Sequence, residues 1–354
     1  MQTGFWPRGG VPGLLHHYTE TLVAFEYTSS VAAQKPHSVL FIGGLGDGLA
    51  TSSYTADIVH ALQSTKWSFF TLNLSSSHSQ WGLGHLNRDT QEIAQCVEYI
   101  KDYKSAKYGE QNKLVIMGHS TGSQCVLNYL SQRNPISTEA EFDKDLKHFL
   151  RLEVDGAIMQ APVSDREAIM LVLRDGFAGR SPEELKAIWS QAEEFSEAVM
   201  KNEPQFIDTI IPLWMTAPIY SNIPISVRRF LSLTSPDSPH RPGEDDMFSS
   251  DLPDDALGNT FGMITDRGLL KYKLMVLMSG SDSAVPNWVD KDELLSRWKA
   301  AADKSQLGSI WDDAHSGIIP DASHALSDPD QAEPRKWLAN RILSYLDTLE
   351  SKDT

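Results

Sequence analysis

Cysteine is almost missing from this chain: 354 residues hold two, Cys96 and Cys125. Both fall within apolar patterns of helical period, so buried thiols are expected rather than a disulfide. A chain of this size without a disulfide framework suits a reducing compartment, and the cytoplasm is the expected location. Basic residues are in the minority, 31 Lys and Arg against 47 Asp and Glu, for a net charge of −16. That balance argues against nucleic acid and anionic membrane surfaces as partners, since both demand basic patches. No run of 18 apolar residues occurs, so no membrane span is expected. Residues 1–13 hold Trp6, Pro7 and Arg8 but no apolar stretch of signal length. His16–His17 and His78/His85 lack metal-ligand spacing or cysteine partners, so neither a metal nor a cofactor is expected. No internal repeat is present. The length allows one large domain with an insertion, or two domains, with ample material for a core.

What is present is organised around Lys113 to Leu130. An apolar run, Leu114 to Met117, has the length of a buried strand, and Cys125, Val126, Tyr129 and Leu130 lie at helical spacing. Between them stands Gly118-His119-Ser120-Thr121-Gly122, a match to G-x-S-x-G. In that pattern a sharp strand-to-helix turn lifts the serine hydroxyl above the sheet, and the glycines permit the crowding. The helix that follows aims its positive end at the site, where an oxyanion would form. A second buried strand, Ser38 to Ile42, runs straight into Gly43-Gly-Leu-Gly-Asp-Gly48. This glycine run has neither the Gly-Lys-Ser/Thr of a phosphate loop nor the spacing of a dinucleotide fingerprint. It suits the loop that supplies an oxyanion-hole amide, with Leu45 as the first candidate donor and Gly44 the next. Thr121, following the serine, would supply the other.

Along the rest of the chain, residues 14–27 read as an early strand or hairpin, 54–62 as a helix and 67–74 as a strand. Residues 75–84 form a polar loop at the strand's end, where Trp81 either lines a pocket or packs as a surface aromatic. An amphipathic helix over 89–104, a polar connection over 134–151 and a strand over 154–159 follow. Alternating strands and helices imply an α/β fold with a largely parallel, doubly wound sheet. The alternation breaks from residue 166 to about 267, where helical patterns give way to an aromatic and proline-rich run. This segment is expected to be a helical and irregular cap inserted between two parts of a core, 1–165 and 268–354. Trp214 and Tyr220 are its candidate pocket walls. Its acidic run, 244–255, reads as an exposed loop. The sheet resumes at Leu274 to Met278, with a last strand or extended run over 310–323 and a closing helix over 334–349.

A serine needs a base, and the base an orienting acid. Loops at strand ends after residue 120 offer Asp282 and His324, in the order Ser, Asp, His. Rivals for the base are His315 and His119; Asp165, Asp313 and Asp321 are alternatives for the acid.

Taken together, residues 42–48, 118–122, Gly280-Ser-Asp282 and His324 resemble an α/β-hydrolase over nearly the whole chain. The insertion, with Phe230-Leu-Ser-Leu233 and Asp245-Asp-Met-Phe-Ser-Ser-Asp-Leu252, and the N-terminal architecture are similar to one fungal family in particular. That family, long described as of unknown function, includes the intracellular siderophore esterases. The resemblance implies a serine esterase that cleaves ester links of a fusarinine-type ferric siderophore and releases iron inside the cell. Where many relatives in the superfamily carry His-Gly, this chain has Gly43-Gly44. Fusarinine C has free amines, and an acidic rim including Asp245 and Asp246 is expected to attract them. A hydrolase of another ester or thioester, and a non-catalytic ligand-binding protein, are the alternatives. Oligomeric state is not legible in the sequence.

Overall fold

The computed structural model describes residues 10–28, 34–136, 150–304 and 309–351. Residues 1–9 and most of the polar connection 134–151 lie outside the described residues. Strands β1 (Gly13–His17) and β2 (Val23–Tyr27) form an antiparallel hairpin. They are followed by β3 (His37–Ile42), β4 (Trp67–Leu72), β5 (Leu114–His119), β6 (Gly156–Gln160), β7 (Leu274–Ser279) and β8 (Gly317–Ile319). The sheet order is β1-β2-β4-β3-β5-β6-β7-β8, and all pairings from β4 to β8 are parallel. This is the α/β-hydrolase fold.

The central strands are buried along their whole length because both faces are covered. Side chains alternate between the two faces. Leu40, Ile42, Leu114 and Ile116 face one core cluster, with Ile93, Val97 and Ile100 of α2 (Leu86–Tyr108) and Val126 and Leu130 of α3 (Thr121–Ser131). Val39, Phe41, Val115 and Met117 face the other, with Ile58 of α1 (Thr55–Ala61) and Leu338, Ile342 and Tyr345 of α11 (Ala332–Glu350). A run of apolar residues therefore reads as a strand here, and alternation is not needed.

The segment between β6 and β7 divides between two clusters. Helices α4 (Asp165–Asp175), α5 (Pro182–Asn202), α6 (Leu213–Tyr220) and α7 (Val227–Thr234) come first. They build a cluster of their own from Ile169, Trp189, Ala192, Ile211, Ile225, Phe230 and Leu233, joined by Trp81 from the loop after β4. From Met247 onward the chain returns to the sheet. Phe248, Leu252, Leu257, Phe261 and Ile264, spanning α8 (Asp254–Gly258) and α9 (Ile264–Arg267), pack in the first core cluster. There Phe261 stacks on Trp298 of α10 (Lys291–Ala302), centroids 5.4 Å apart. The loop after β4 is stitched to the inserted helices: Ser226 N–H donates to Gly82 O at 2.9 Å, and a Cβ at 82 would lie 2.1 Å from Pro224 O.

At the edge of the sheet, Lys104 of α2 is buried against Glu26 of β2 at 2.6 Å and also donates to Lys35 O at 2.9 Å. Burial alone would raise the Glu26 pKa, but His16 and then Lys104 outweigh it and hold the value at about 2. Lys104→Met should destabilise the protein by about 3 kcal/mol or more, since one buried charge loses its partner. Urea unfolding checks this, and the loss should shrink as pH falls and Glu26 takes up a proton.

Candidate active site

The G-x-S-x-G segment forms the turn between β5 and α3. Ser120 sits there at φ 53°, ψ −123°, a conformation that side chains rarely adopt. The turn is held from below: Ser120 N–H donates to Gln160 O at 3.0 Å, and Ser123 Oγ donates to Gly118 O and Gln160 O. Glycine is required on both sides. A Cβ at 118 would lie 2.1 Å from Gly122 O, and one at 122 would lie 2.2 Å from Ile42 O.

The structure brings Ser120, His324 and Asp282 into one line. His324 Nε2 lies 2.9 Å from Ser120 Oγ, and His324 Nδ1 lies 2.7 Å from Asp282 Oδ2. The Asp282 side chain is fully buried while the imidazole is about a quarter exposed. The two loops that carry them are laced together, with Gly280 N–H on Ile319 O and Ser281 N–H on Ala322 O, both at 2.9 Å. Lys291 secures the turn after β7 by donating to the Ser279 and Gly280 carbonyls.

The rival residues are occupied elsewhere. His119 turns beneath the nucleophile, its Nδ1 2.5 Å from Gln160 Oε1, and burial followed by the His324 charge lowers its pKa to about 4. His315 belongs to a separate string, 2.8 Å from Asp312 and 3.1 Å from Ser344 Oγ on α11. Ser344 is exposed along a helix, with no strand-end turn to raise it above a sheet. Asp313 pairs with Lys299, while Asp321 lies beside the closing helix with its carbonyl accepting from Gln331. Asp165 accepts from Gln124 Nε2 at 2.8 Å.

The glycine loop after β3 is shaped by Asp47. Its carboxylate accepts from Gly44 N–H at 2.9 Å, Ser52 Oγ at 2.9 Å and Thr51 Oγ1 at 2.6 Å. The Gly44 amide is thereby committed to Asp47, which corrects its expected place as an alternative oxyanion donor. Among the described residues, no group engages the Leu45 or the Thr121 amide. Gly44 instead serves by being small: a Cβ there would lie 2.9 Å from Ser120 Cβ. Gly43 is explained as well, because a Cβ there would meet Asp47 Cβ at 2.4 Å, so a histidine would not fit.

Asp245 and Asp246 do not contribute to an acidic rim, because both are buried. Asp245 is buried on Arg229 Nη1, with both carboxylate oxygens within 2.8 Å, and accepts from Ser232 Oγ as well. Asp246 is buried on Arg166, Ser238 and Ser249, and Asp251 pairs with the same Arg166. Sequence polarity marked Asp245 and Asp246 as surface, and internal pairing overrides it; Asp251, Asp254 and Asp255 are exposed. Trp214, expected as a pocket wall, is 56 % exposed on α6. Trp81 and Tyr220 are brought together edge-to-face at 5.2 Å. Trp81 lines a narrow polar cavity with Gly44, Leu45, Ser76, Asp89, Thr121 and Arg229. Arg229 is the residue that sequence reading missed; nothing in the local pattern separates it from Arg228, which is paired with Asp208 nearer the surface. Among the described residues no three His, Cys, Asp or Glu side chains are grouped to hold a metal, and no helix is long and apolar enough to cross a membrane.

A family model described as a protein of unknown function (DUF1749) matches residues 7–347. The chain belongs to this family. Proteins similar to it include the fusarinine C esterase sidJ of Aspergillus fumigatus, 58 % identical over 353 residues, with 99 % of both chains covered. Esterase AN6793 of Emericella nidulans is 48 % identical over 356 residues, covering 97 % of this chain and 94 % of that one. The solved structure of siderophore hydrolase EstB from Aspergillus fumigatus superposes on this DUF1749 chain with a TM-score of 0.87 and 57 % identity, covering 97 % of this chain and 99 % of that one.

Buried Asp89 generates a test of this polar interior. It accepts from Ser76 Oγ at 2.6 Å, and burial pushes its pKa up to about 7. Unfolded aspartate ionises near pH 4, at about 3.9. The neutral buried form therefore contributes stability that is complete below that pH and is lost as pH rises through about 7. Thermal unfolding should give a higher Tm at about pH 5.5 than at about pH 8, and Asp89→Asn should narrow the gap.

Proposed function

We propose that this DUF1749 protein is a serine esterase that hydrolyses the ester bonds of a fusarinine-type siderophore. The observation that carries the reading is the unbroken contact from Ser120 Oγ through His324 to Asp282, at 2.9 and 2.7 Å. Its extensive similarity to sidJ and EstB, across nearly the full length of each, supports the choice of substrate.

In this reading Ser120 Oγ attacks the ester carbonyl while His324 Nε2 takes its proton, and Asp282 holds Nδ1–H and the imidazolium that forms. The carbonyl oxygen, now an oxyanion, accepts from the Leu45 and Thr121 amides. His324 passes its proton to the departing alcohol, leaving an ester on Ser120. Water attacks that ester, again giving a proton to His324. Collapse returns the proton to Ser120 Oγ and frees the carboxylic acid. Asp47 acts as a positioning residue, since its hold on the Gly44 amide sets the loop that carries Leu45.

The cap in this reading is the body built by α4 to α7, with the return from 247 to 267 counted as core because its apolar side chains join the sheet cluster. A cytoplasmic location, with iron released there from the ferric siderophore, is part of the proposal; the two buried free thiols support it.

Ser120→Ala should lower kcat on fusarinine C by about 10³-fold or more, and adding His324→Ala should cost little further because the two form one unit. Product mass after incubation with the siderophore, beside turnover of p-nitrophenyl acetate, checks both chemistry and substrate. Near-normal rates in His324→Ala with loss in His315→Ala would overturn the assignment of the base. Hydrolysis of p-nitrophenyl acetate without any product from the siderophore would overturn the substrate.

A further inference from the structure

The cap and core meet at a carboxylate that has no cation of its own. Asp165 opens α4 directly after β6, is half-buried, and makes one hydrogen bond, from Gln124 Nε2. Gln124 stands four residues after Ser120, one turn further along α3 on the same face, a rise of about 6 Å. The same Gln124 amide nitrogen donates to Asp245 O at 2.6 Å. Its Oε1 has no partner, although Gln124 is only 1 % exposed. A singly bonded carboxylate and an amide oxygen without a donor thus stand together, beside the helix that begins at the proposed nucleophile.

The charges around them are unbalanced. Asp245, Asp89, Asp165 and Glu244 all act on one guanidinium, Arg229, and Arg229 spends its contact on Asp245. Asp165 is within electrostatic reach of His324 and of Tyr220. Tyr220 leans edge-on against Trp81, and Trp81 reaches the oxyanion loop, its Cδ1 3.9 Å from where a Gly46 Cβ would lie. A lone carboxylate, an unpaired amide oxygen and two aromatic rings make a chemically defined set. A primary ammonium has three N–H donors and a charge that an aromatic face attracts, so its chemistry matches this set. A metal ion would need more oxygen ligands than are gathered here.

We propose that Asp165, with Gln124, Tyr220 and Trp81, forms a subsite for a primary ammonium group carried near the scissile ester. The proposal rests on the reading of Ser120 as nucleophile. It replaces a diffuse acidic rim with one residue in a defined position. Burial, and after it the charge of Asp245, raises the Asp165 pKa to about 6, so the group is ionised at neutral pH.

The test compares kcat/KM for fusarinine C and its N-acetylated form, with p-nitrophenyl acetate as an uncharged reference. Wild type should favour the free-amine siderophore. Asp165→Asn, which keeps the shape and the contact with Gln124, should cut the free-amine rate about tenfold or more. It should leave the N-acetylated form and p-nitrophenyl acetate within about twofold. Tyr220→Leu should reduce the preference in part by removing the ring. An unchanged preference in Asp165→Asn, or an equal loss on all three substrates, would overturn the subsite. If neither siderophore is turned over, the substrate reading fails, and ornithine methyl ester against its Nα-acetyl form then carries the same comparison. Equal wild-type rates on that pair would also overturn the subsite.

Discussion

The close approach of β3, β5 and the start of α3 is the constraint on which the site depends. With Gly118 against Gly122 and Gly122 against the end of β3, the backbone turns sharply enough to hold Ser120 at a positive φ. Such a conformation costs on the order of 1–3 kcal/mol and persists only where the surroundings over-determine it. Here they do: strands on both sides are fully buried, and Gln160 anchors the turn from β6 through its carbonyl. The same closeness places the β3 loop over the serine, where Asp47 gathers the loop and leaves the Leu45 amide unengaged.

Charge is handled in the interior rather than at the surface. A chain with 47 acids against 31 bases invites the view that its acidic runs lie in solvent. Several instead tie the inserted helices to the core. Asp245 and Asp246 bind Arg229 of α7 and Arg166 of α4, and Gln124 of α3 bridges Asp165 and the Asp245 carbonyl. Arg229, 2 % exposed, stands among more carboxyls than it can pair. Buried groups of this kind are neutralised by protonation or matched by a partner, and the raised pKa values of Asp89, Asp165 and Glu244 follow from this arrangement.

Two Asp–His–Ser strings occur among the described residues, and the contrast between them separates geometry from function. Ser344, His315 and Asp312 are spaced much as Ser120, His324 and Asp282 are. Only the second string stands on a strand-to-helix turn, with unengaged amides beside the hydroxyl and an inserted segment packed against the neighbouring loops. A relay without a place for the oxyanion or the substrate is an ordinary hydrogen-bonded contact.

Much of this was determined by the amino-acid sequence alone. The elbow, the glycine loop, the order of Ser120, Asp282 and His324 and the break in alternation from residue 166 are local patterns. Their meaning comes from backbone sterics and from burial on both faces of a sheet, which neighbouring residues specify. Tertiary structure decided what depends on distant partners. Gly44 lost its place as a donor because Asp47 folds back onto it. Asp245 and Asp246 moved from surface to interior because Arg229 and Arg166 meet them there. Trp214 is exposed while Tyr220 packs against Trp81, although both lie in one apolar run. Polarity and period state what a residue prefers; only the folded chain supplies the partner that overrides the preference.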